Sequence, residues 1–438
     1  MTPVGGARPP RNERALRKLA DRLERRAGTL PVAFTLRDAD GTAVPVGRGE
    51  SAFTVVIRNR AALGAARSMS ELPIAEAYIR GDLDFEGDLL AAMELRPLLT
   101  DRRWLIVLRA HLKPLLVGRR RANPGWIAKH YDAHNMQLLA LDREFGVYTP
   151  GIYAHDDDTL EDGARRKLAA AFRSLQLTAG DSLLDVGCGW GGFLRYCAQR
   201  GIDATGITLS RHQQEYATAR LRADGLAATV LYQDFFSYEP GRRFRAISMM
   251  GVLEDLSDYR QVMRRLSAWL APNGRVYLDF ASANRRYGIP SLVTKHVWPG
   301  KFRMVYLPAF VKAAADEGLD IVELSNDRHN YYLWTKAVHE RWVQRRADAV
   351  ERFGEPAWRL MRLLQTATAK VMSAPSRDTA YRVVLARRSE SPFRREHDVT
   401  SSQAEPHVSE EPSAERVPAS TTTLRGRGAA SAHHDDLP

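Results

Sequence analysis

The stretch from Asp181 to Ser210, DSLLDVGCGWGGFLRYCAQRGIDATGITLS, constrains the rest of the chain more than any other. Leu183, Leu184 and Val186 form a short apolar run suited to a buried parallel strand. The run ends in Gly187-Cys188-Gly189-Trp190-Gly191-Gly192, and a helical pattern opens at Phe193. The order is strand, glycine turn, helix. Glycines at such a turn let backbone N–H groups approach a ligand at the helix N-terminus, and Asp185 at the strand end can take one of its polar groups. A second strand, Ala204 to Ile207, delivers Thr208, Leu209 and Ser210 to the same rim. Ligands of open α/β sheets sit at the carboxyl ends of the strands where the strand order reverses, so a cofactor is expected here.

The spacing decides which cofactor. A dinucleotide site wants G-x-G-x-x-G and an acidic residue about twenty positions on to hold a ribose. This chain has G-C-G-W-G-G, and Thr208 stands where that carboxylate would be. S-adenosylmethionine suits the pattern better, because it has no pyrophosphate to neutralise and a glycine turn can hold its amino acid end. The predicted fold is α/β, a Rossmann-like class I S-adenosylmethionine methyltransferase with a small N-terminal α+β accessory domain.

LLDVGCGWGG (183–192), GITLSRHQ (206–213), HYDAHN (130–135) and YTPGIY (148–153) resemble the cyclopropane-fatty-acyl-phospholipid synthases, a family that includes the mycolic acid cyclopropane synthases. The resemblance runs from about Lys129 to Arg387. It implies that Thr208 and Gln213 hold the cofactor's ribose hydroxyls, with Gly187, Gly189, Gly191, Leu209 and Tyr148 also around the cofactor. His130, Tyr131, Asp132 and Asn135 would fold over the pocket. Asp234 and Phe235, at the end of the strand ATVLYQDFF, are placed to read and stack on adenine. Glu254 takes the position of the family's active-site glutamate, and Tyr331 that of its tyrosine.

Relatives bind a bicarbonate ion that removes a proton from the newly added methyl group. Three of its residues depart here: Pro150 replaces a cysteine, Asp279 a histidine, and Ala281 an isoleucine. A carboxylate at 279 would repel an anion held beside Glu254, so the bicarbonate site is not expected to form as in relatives. Either Asp279 is itself the base, or the cation resolves to a methyl-branched or methylene product. The bland readings are that Asp279 caps the next segment and that Glu254 caps a helix.

The 438 residues leave room for more than one domain. Residues 1–12 and the Ser/Glu/Pro/Thr-rich tail 389–438 read as disordered. Between them lie an accessory domain (13–100), a basic apolar connector (101–125) and the methyltransferase domain (126–388). Asn12 is expected to cap the first helix, a hairpin to turn at Asp40-Gly41, and the strand 380–388 to close the sheet. Cys188 and Cys197 are too few for a disulfide framework or a metal set, which fits a reducing compartment.

No apolar run reaches the length of a membrane span, and the N-terminus has no signal-peptide core. A formal net charge of +12 and the connector RRWLIVLRAHLKPLLVGRRR suit either an anionic membrane surface or an ordinary inter-domain helix. The expected place is the cytoplasm, at the inner face of the membrane. Basic residues are not interleaved with stacking aromatics, which argues against nucleic acid. The expected substrate is the double bond of an unsaturated acyl chain in a phospholipid. Alternatives are another olefin in specialised metabolism and a non-catalytic cofactor- or lipid-binding protein. A homodimer remains open.

Overall fold

The computed structural model describes residues 11–101, 138–256, 258–283, 290–297, 303–373 and 378–388. The expectations for His130, Tyr131, Asp132 and Asn135, for the tail, and for nearly all of the connector fall outside these residues. Among the described residues no helix is long and apolar enough to cross a membrane.

The N-terminal unit is a four-stranded sheet ordered β2-β1-β3-β4. Strands β1 (Phe34–Asp38) and β2 (Ala43–Val46) pair antiparallel around Asp40-Gly41, and β3 (Phe53–Ile57) lies parallel to β1, with β4 (Leu83–Gly87) antiparallel beyond it. Helix α1 (Arg11–Ala27) buries Leu16, Leu19 and Leu23 against this sheet and exposes Arg14, Arg17, Lys18, Arg22, Arg25 and Arg26. Asn12 lies inside α1 instead of capping it, and its amide donates to Asp40 Oδ2 at 2.8 Å. Helix α2 (Arg60–Ser68) is capped by an asparagine, Asn59, and α3 (Glu71–Arg80) follows.

The second sheet has seven strands, ordered β10-β11-β9-β8-β5-β6-β7. β5 (Ser182–Val186), β6 (Asp203–Thr208), β7 (Ala228–Tyr232), β8 (Phe244–Met250) and β9 (Leu270–Ala283) run parallel. β11 (Asp378–Arg387) does not close the sheet. It inserts antiparallel between β9 and β10 (Leu319–Asn326), leaving β10 at the edge. The order reverses at β5, between β6 and β8, so the glycine turn that follows β5 opens at the switch point.

Alternation along the strands divides the core. Leu184, Val186, Val276, Leu278 and Phe280 point to one face, under helices α7 (Tyr259–Trp269) and α8 (Leu307–Asp316). Leu183 and Tyr277 point to the other, under α4 (Leu160–Ser174), α5 (Gly192–Ala198) and α6 (Arg211–Ala223). By the same alternation Asp185 and Asp279 lie on this second face, beneath α4.

Thr159 starts α4 with a capping box to Asp162, and its buried stripe is Leu160, Ala164, Lys167, Leu168 and Ala171. A lysine in that stripe must bring its charge inside, because its side chain is only 1% exposed. Three C-terminal helices complete the fold: α9 (Arg328–Gln344), α10 (Arg346–Phe353) and α11 (Glu355–Ser373). α11 carries Leu363 into the N-terminal core, and its Arg359 pairs with Asp84 of β4 at 2.9 Å.

Candidate active site

The cofactor rim is built by backbone. Gly187, Gly189 and Gly191 have φ of +70°, +54° and +81°, left-handed values that L side chains rarely adopt. A Cβ on Gly187 would run into Val252 Cγ2, and one on Gly191 would lie 2.8 Å from the Ala217 Cβ. At Gly189 an added Cβ would meet only open space, with its nearest neighbour the Gly187 carbonyl oxygen at 4.0 Å. The turn is therefore packed behind Gly187 and Gly191 and open in front of Gly189, as a cradle for a ligand must be.

On the neighbouring strand Thr208 Oγ1 donates to Gln213 Oε1 at 3.0 Å, and both residues are buried. Ser210 caps α6 through the Gln213 N–H, which fixes that glutamine on the rim. Leu209 follows Thr208 at the strand end. These residues fit S-adenosylmethionine: two buried polar side chains beside an open glycine turn at the switch point.

Two expectations for this rim change. Asp185 is buried, and its Oδ1 accepts the Ser248 hydroxyl of β8 at 2.6 Å. Burial pushes its carboxyl up to about 7, against the opposing hydrogen bond from Ser248. It braces β5 against β8 instead of standing at the strand tip. Phe235 was expected to stack on a base, yet its ring is buried in the core, edge-on to Trp269 at 5.2 Å and to Phe236 at 5.2 Å. Asp234 beside it is partly exposed, and its Oδ1 accepts the Phe236 and Ser237 N–H groups in an Asx turn.

The second half of the site is a cavity of about 90 Å³ at the ends of β8 and β9, lined by Glu254, Asp279, Tyr331, Tyr148, Trp334 and Gln365 among others. Six chain segments converge here, one of them β11 through Ala380 and Tyr381. Asp142 accepts the N–H groups of Phe145, Gly146 and Val147, which sets the turn leading to Tyr148. Glu254 follows β8 in a short 3-10 turn. Asp279 lies on β9, Tyr331 on the first turn of α9, and Gln365 on α11.

α9 is fixed to the sheet at that first turn. Asp327 pairs with Arg382 of β11, and the Asp327 N–H bonds the Ala380 carbonyl at 2.8 Å. Tyr148 and Tyr331 both meet Trp334 edge-on, at 6.0 and 5.8 Å.

Electrostatics distinguish the acids. Glu254 Oε1 accepts the Ala281 N–H at 2.7 Å, while Oε2 is buried without a hydrogen-bond partner among the described residues. Burial pushes this carboxyl up to about 8, so near neutrality it carries a proton. Burial, and then the Glu254 carboxyl, push the Tyr331 hydroxyl above its ordinary value.

Asp279 is also raised by burial, but Lys167 opposes the shift: its ammonium reaches from α4 to 2.7 Å from Asp279 Oδ2 and also donates to Thr149. This lysine corrects the sequence-based argument. The charge at 279 is already matched inside the protein and is not left to repel an anion. Of the donors an anion could use at this place, the Ala281 N–H is occupied by Glu254, Pro150 offers none, and Lys167 is engaged by Asp279.

Neither Lys167 nor Trp334 was found from sequence as a site residue. The signal for Lys167 was available: it falls at the i+3 and i+4 spacing of an otherwise apolar stripe. Among the described residues no cluster of His, Cys, Asp and Glu could hold a metal.

A Rossmann-like sheet with a glycine turn at its switch point and a buried polar pair beyond it defines a class I S-adenosylmethionine-dependent methyltransferase. The chain belongs to the mycolic acid cyclopropane synthetase family, whose model matches residues 119–380. It is 27% identical over 397 residues to a protein of Mycobacterium tuberculosis named "probable fatty acid methyltransferase", covering 78% of this chain and 88% of that one. It is 23% identical over 335 residues to the sphingolipid C9-methyltransferase of Komagataella phaffii, covering 71% and 68%. The fold is shared with the mycolic acid cyclopropane synthase CmaA1 complexed with SAH and CTAB, at a TM-score of 0.55 and 18% identity over 60% of this chain and 97% of that one. Coclaurine N-methyltransferase aligns at a TM-score of 0.56 and 16% identity, covering 72% and 98%.

Proposed function

We propose that the enzyme methylates a carbon–carbon double bond in an unsaturated acyl chain of a lipid, a phospholipid in the first instance, giving a cyclopropane or a methyl-branched or methylene product. The observation that carries this is the composition of the cavity: acids and aromatic rings, with Glu254 protonated and Tyr331 unionised at neutral pH. An amine or hydroxyl acceptor would call for a base that takes the proton of its N–H or O–H. Here the rings of Tyr148, Trp334 and Tyr331 line the space with Asp279, while the second aspartate of the lining, Asp327, is paired with Arg382. Such walls suit an acceptor that becomes positive as it reacts.

S-adenosylmethionine supplies an electrophilic methyl on a sulfonium. Gly187, Gly189 and Gly191 would hold it by backbone, Thr208 and Gln213 by its ribose, and Asp234 by its base. Glu254 and Tyr331 line the acceptor space and exclude water from it. Asp279 faces the positive charge left on the acceptor. The relatives named for fatty acids and sphingolipids agree with a lipid acceptor, and the exposed arginines of α1 offer a surface for anionic headgroups. Where the chain acts and whether it pairs with a second copy are part of the same proposal: a membrane-peripheral enzyme on the cytoplasmic face.

The test is expression in a bacterium lacking its own cyclopropane synthase, fed methyl-labelled methionine, with mass spectrometry of the fatty acid methyl esters. A labelled cyclopropane, branched or methylene acid supports the reading and identifies the product. Measurable cofactor binding with no labelled lipid sinks it and points to another olefin.

A further inference from the structure

Lys167 is a buried cation in contact with Asp279 of the acceptor cavity, and the function above has no use for it. Its side chain is 1% exposed and that of Asp279 is 10% exposed, with Nζ 2.7 Å from Oδ2. A buried lysine is costly unless its charge is matched in place. Around Asp279 stand Lys167 from α4, Asp185 from β5, Glu254 after β8, Tyr277 on its own strand, Arg382 from β11, and Asp327 and Tyr331 at the start of α9. Lys167 is the ammonium in contact with it, while Arg382 is engaged by Asp327.

We infer that Lys167 is a positioning residue that holds Asp279 as a built-in anion of the acceptor cavity, so that the enzyme takes its proton acceptor from its own chain and not from dissolved bicarbonate. The inference rests on the proposed acceptor chemistry for its consequence, and on the ion pair for its existence. When the alkene's π electrons form the new carbon–carbon bond, the methyl–sulfur bond breaks with its pair going to sulfur, and one acceptor carbon is left positive. Asp279 then takes a proton, either from the newly added methyl, whose C–H electron pair closes the ring onto the cationic carbon, or from a carbon next to the cation, whose C–H pair forms a new double bond. The carboxylate becomes a carboxylic acid, and charge balances with Lys167 still protonated. Three features weigh against bicarbonate in this role: the Ala281 N–H is used by Glu254, the Lys167 ammonium is engaged by Asp279, and Pro150 cannot donate.

The experiment removes the anion and offers a replacement. Wild type and the variants Asp279→Gly, Asp279→Asn, Lys167→Met and Lys167→Met/Asp279→Gly are compared in carbon-dioxide-stripped buffer, with cofactor binding as the check on folding. Wild-type product formation should be unchanged by stripping, and isotope-labelled bicarbonate should show no binding to wild type by NMR. Asp279→Gly leaves a cavity beside an unpaired ammonium, so millimolar formate should bind to it but neither to wild type nor to the double variant.

Product formation in Asp279→Gly and in the near-isosteric Asp279→Asn should fall by roughly 10²–10⁴-fold, as for loss of a general base, and formate should restore part of it only in the glycine variant. In Lys167→Met the acid limb of the pH–rate profile should move to higher pH, because the carboxylate loses the cation that favours its ionised form. A wild type that slows without bicarbonate and recovers with it overturns the inference, as does an Asp279→Gly protein that binds no formate. If wild type makes no methylated lipid, the acceptor reading fails while the formate and bicarbonate binding experiments still decide the role of Lys167.

Discussion

The two halves of the site are made in different ways. On the cofactor side the essential parts lie within one run of sequence, Gly187 to Gln213, and what they supply is mostly backbone shape. On the acceptor side Tyr148, Lys167, Glu254, Asp279 and Tyr331 come from five separate segments and supply charge and side-chain volume. A contiguous backbone device is robust to its neighbours but intolerant of a single Cβ. A cavity of converging charges tolerates changes of shape and fails when one partner of a pair is removed. This contrast is what the following experiments are chosen to break.

The largest effect belongs to Lys167→Met, which leaves a buried carboxylate without its counter-ion. Removing one partner of a buried pair costs about 3–5 kcal/mol, while replacing both partners by neutral groups costs much less. Denaturant unfolding near pH 8 should therefore show Lys167→Met/Asp279→Asn to be more stable than Lys167→Met alone. Equal losses in the two proteins would mean that the pair carries no charge coupling. At lower pH the gap should narrow, since the orphaned carboxyl can then take a proton.

On the cofactor side the matched experiment compares Gly187→Ala with Gly189→Ala. Both force an L side chain to positive φ, which costs about 1–2 kcal/mol. Only Gly187→Ala also meets packed atoms, those of Val252, and overpacking adds about 1–3 kcal/mol. The expected result is a clear stability gap between the two, with Gly189→Ala losing cofactor affinity well beyond its modest loss of stability. Equal stabilities would contradict the packed-behind, open-in-front description of the turn.

The same contrast explains what could be read before the fold was in hand. The glycine turn and the strand that brings Thr208 to the same rim were legible because strand, turn and helix succeed one another within thirty residues, each with a local signature, while Gln213 was located through the family resemblance. Glu254, Asp279 and Tyr331 could be located only through the family resemblance, and the structure does bring them to one cavity. Lys167 was invisible as a partner of Asp279 because the two are distant in sequence and meet through a helix laid across a sheet. Phe235 was misjudged for the complementary reason: at the end of a strand, sequence does not say whether an aromatic ring turns toward the rim or back toward Trp269. β11 reads as a terminal strand by position, and its insertion beside β9 is a matter of register that no local pattern records.

Proton uptake gives a smaller, continuous test. Burial holds Glu254 at about 8, against an ordinary 4.5, and Asp185 at about 7, against 3.8. Both folded values are raised, so from about pH 4 to about pH 8 the native state binds more protons than the unfolded chain. The corresponding stability is full below the unfolded pKa values and is lost as pH rises through the folded ones. Glu254→Gln keeps an acceptor for the Ala281 N–H and removes the titration. Its unfolding free energy should decline less steeply over this window, and above about pH 8 it should equal or exceed wild type. A wild type whose stability rises through this range would show that these two carboxyls do not govern it.

The smallest expected effect is the one that isolates the cofactor rim from the rest of the molecule. Thr208→Val keeps the shape of the side chain and removes the hydroxyl that bonds Gln213 at 3.0 Å. Losing one hydrogen bond at a buried position is worth about 0.5–1.5 kcal/mol, which is roughly twofold to tenfold in an equilibrium constant. If Thr208 and Gln213 hold the ribose as a pair, calorimetry should show cofactor affinity falling by that factor, while the pH–rate profile set at Asp279 stays in place. Gln213→Ala should cost a similar amount, and the double variant less than the sum, because each residue orients the other. Additive losses would mean that the two act separately on the cofactor. A shift in the pH profile would mean that rim and cavity are coupled, and that the division into a backbone-built half and a charge-built half does not hold.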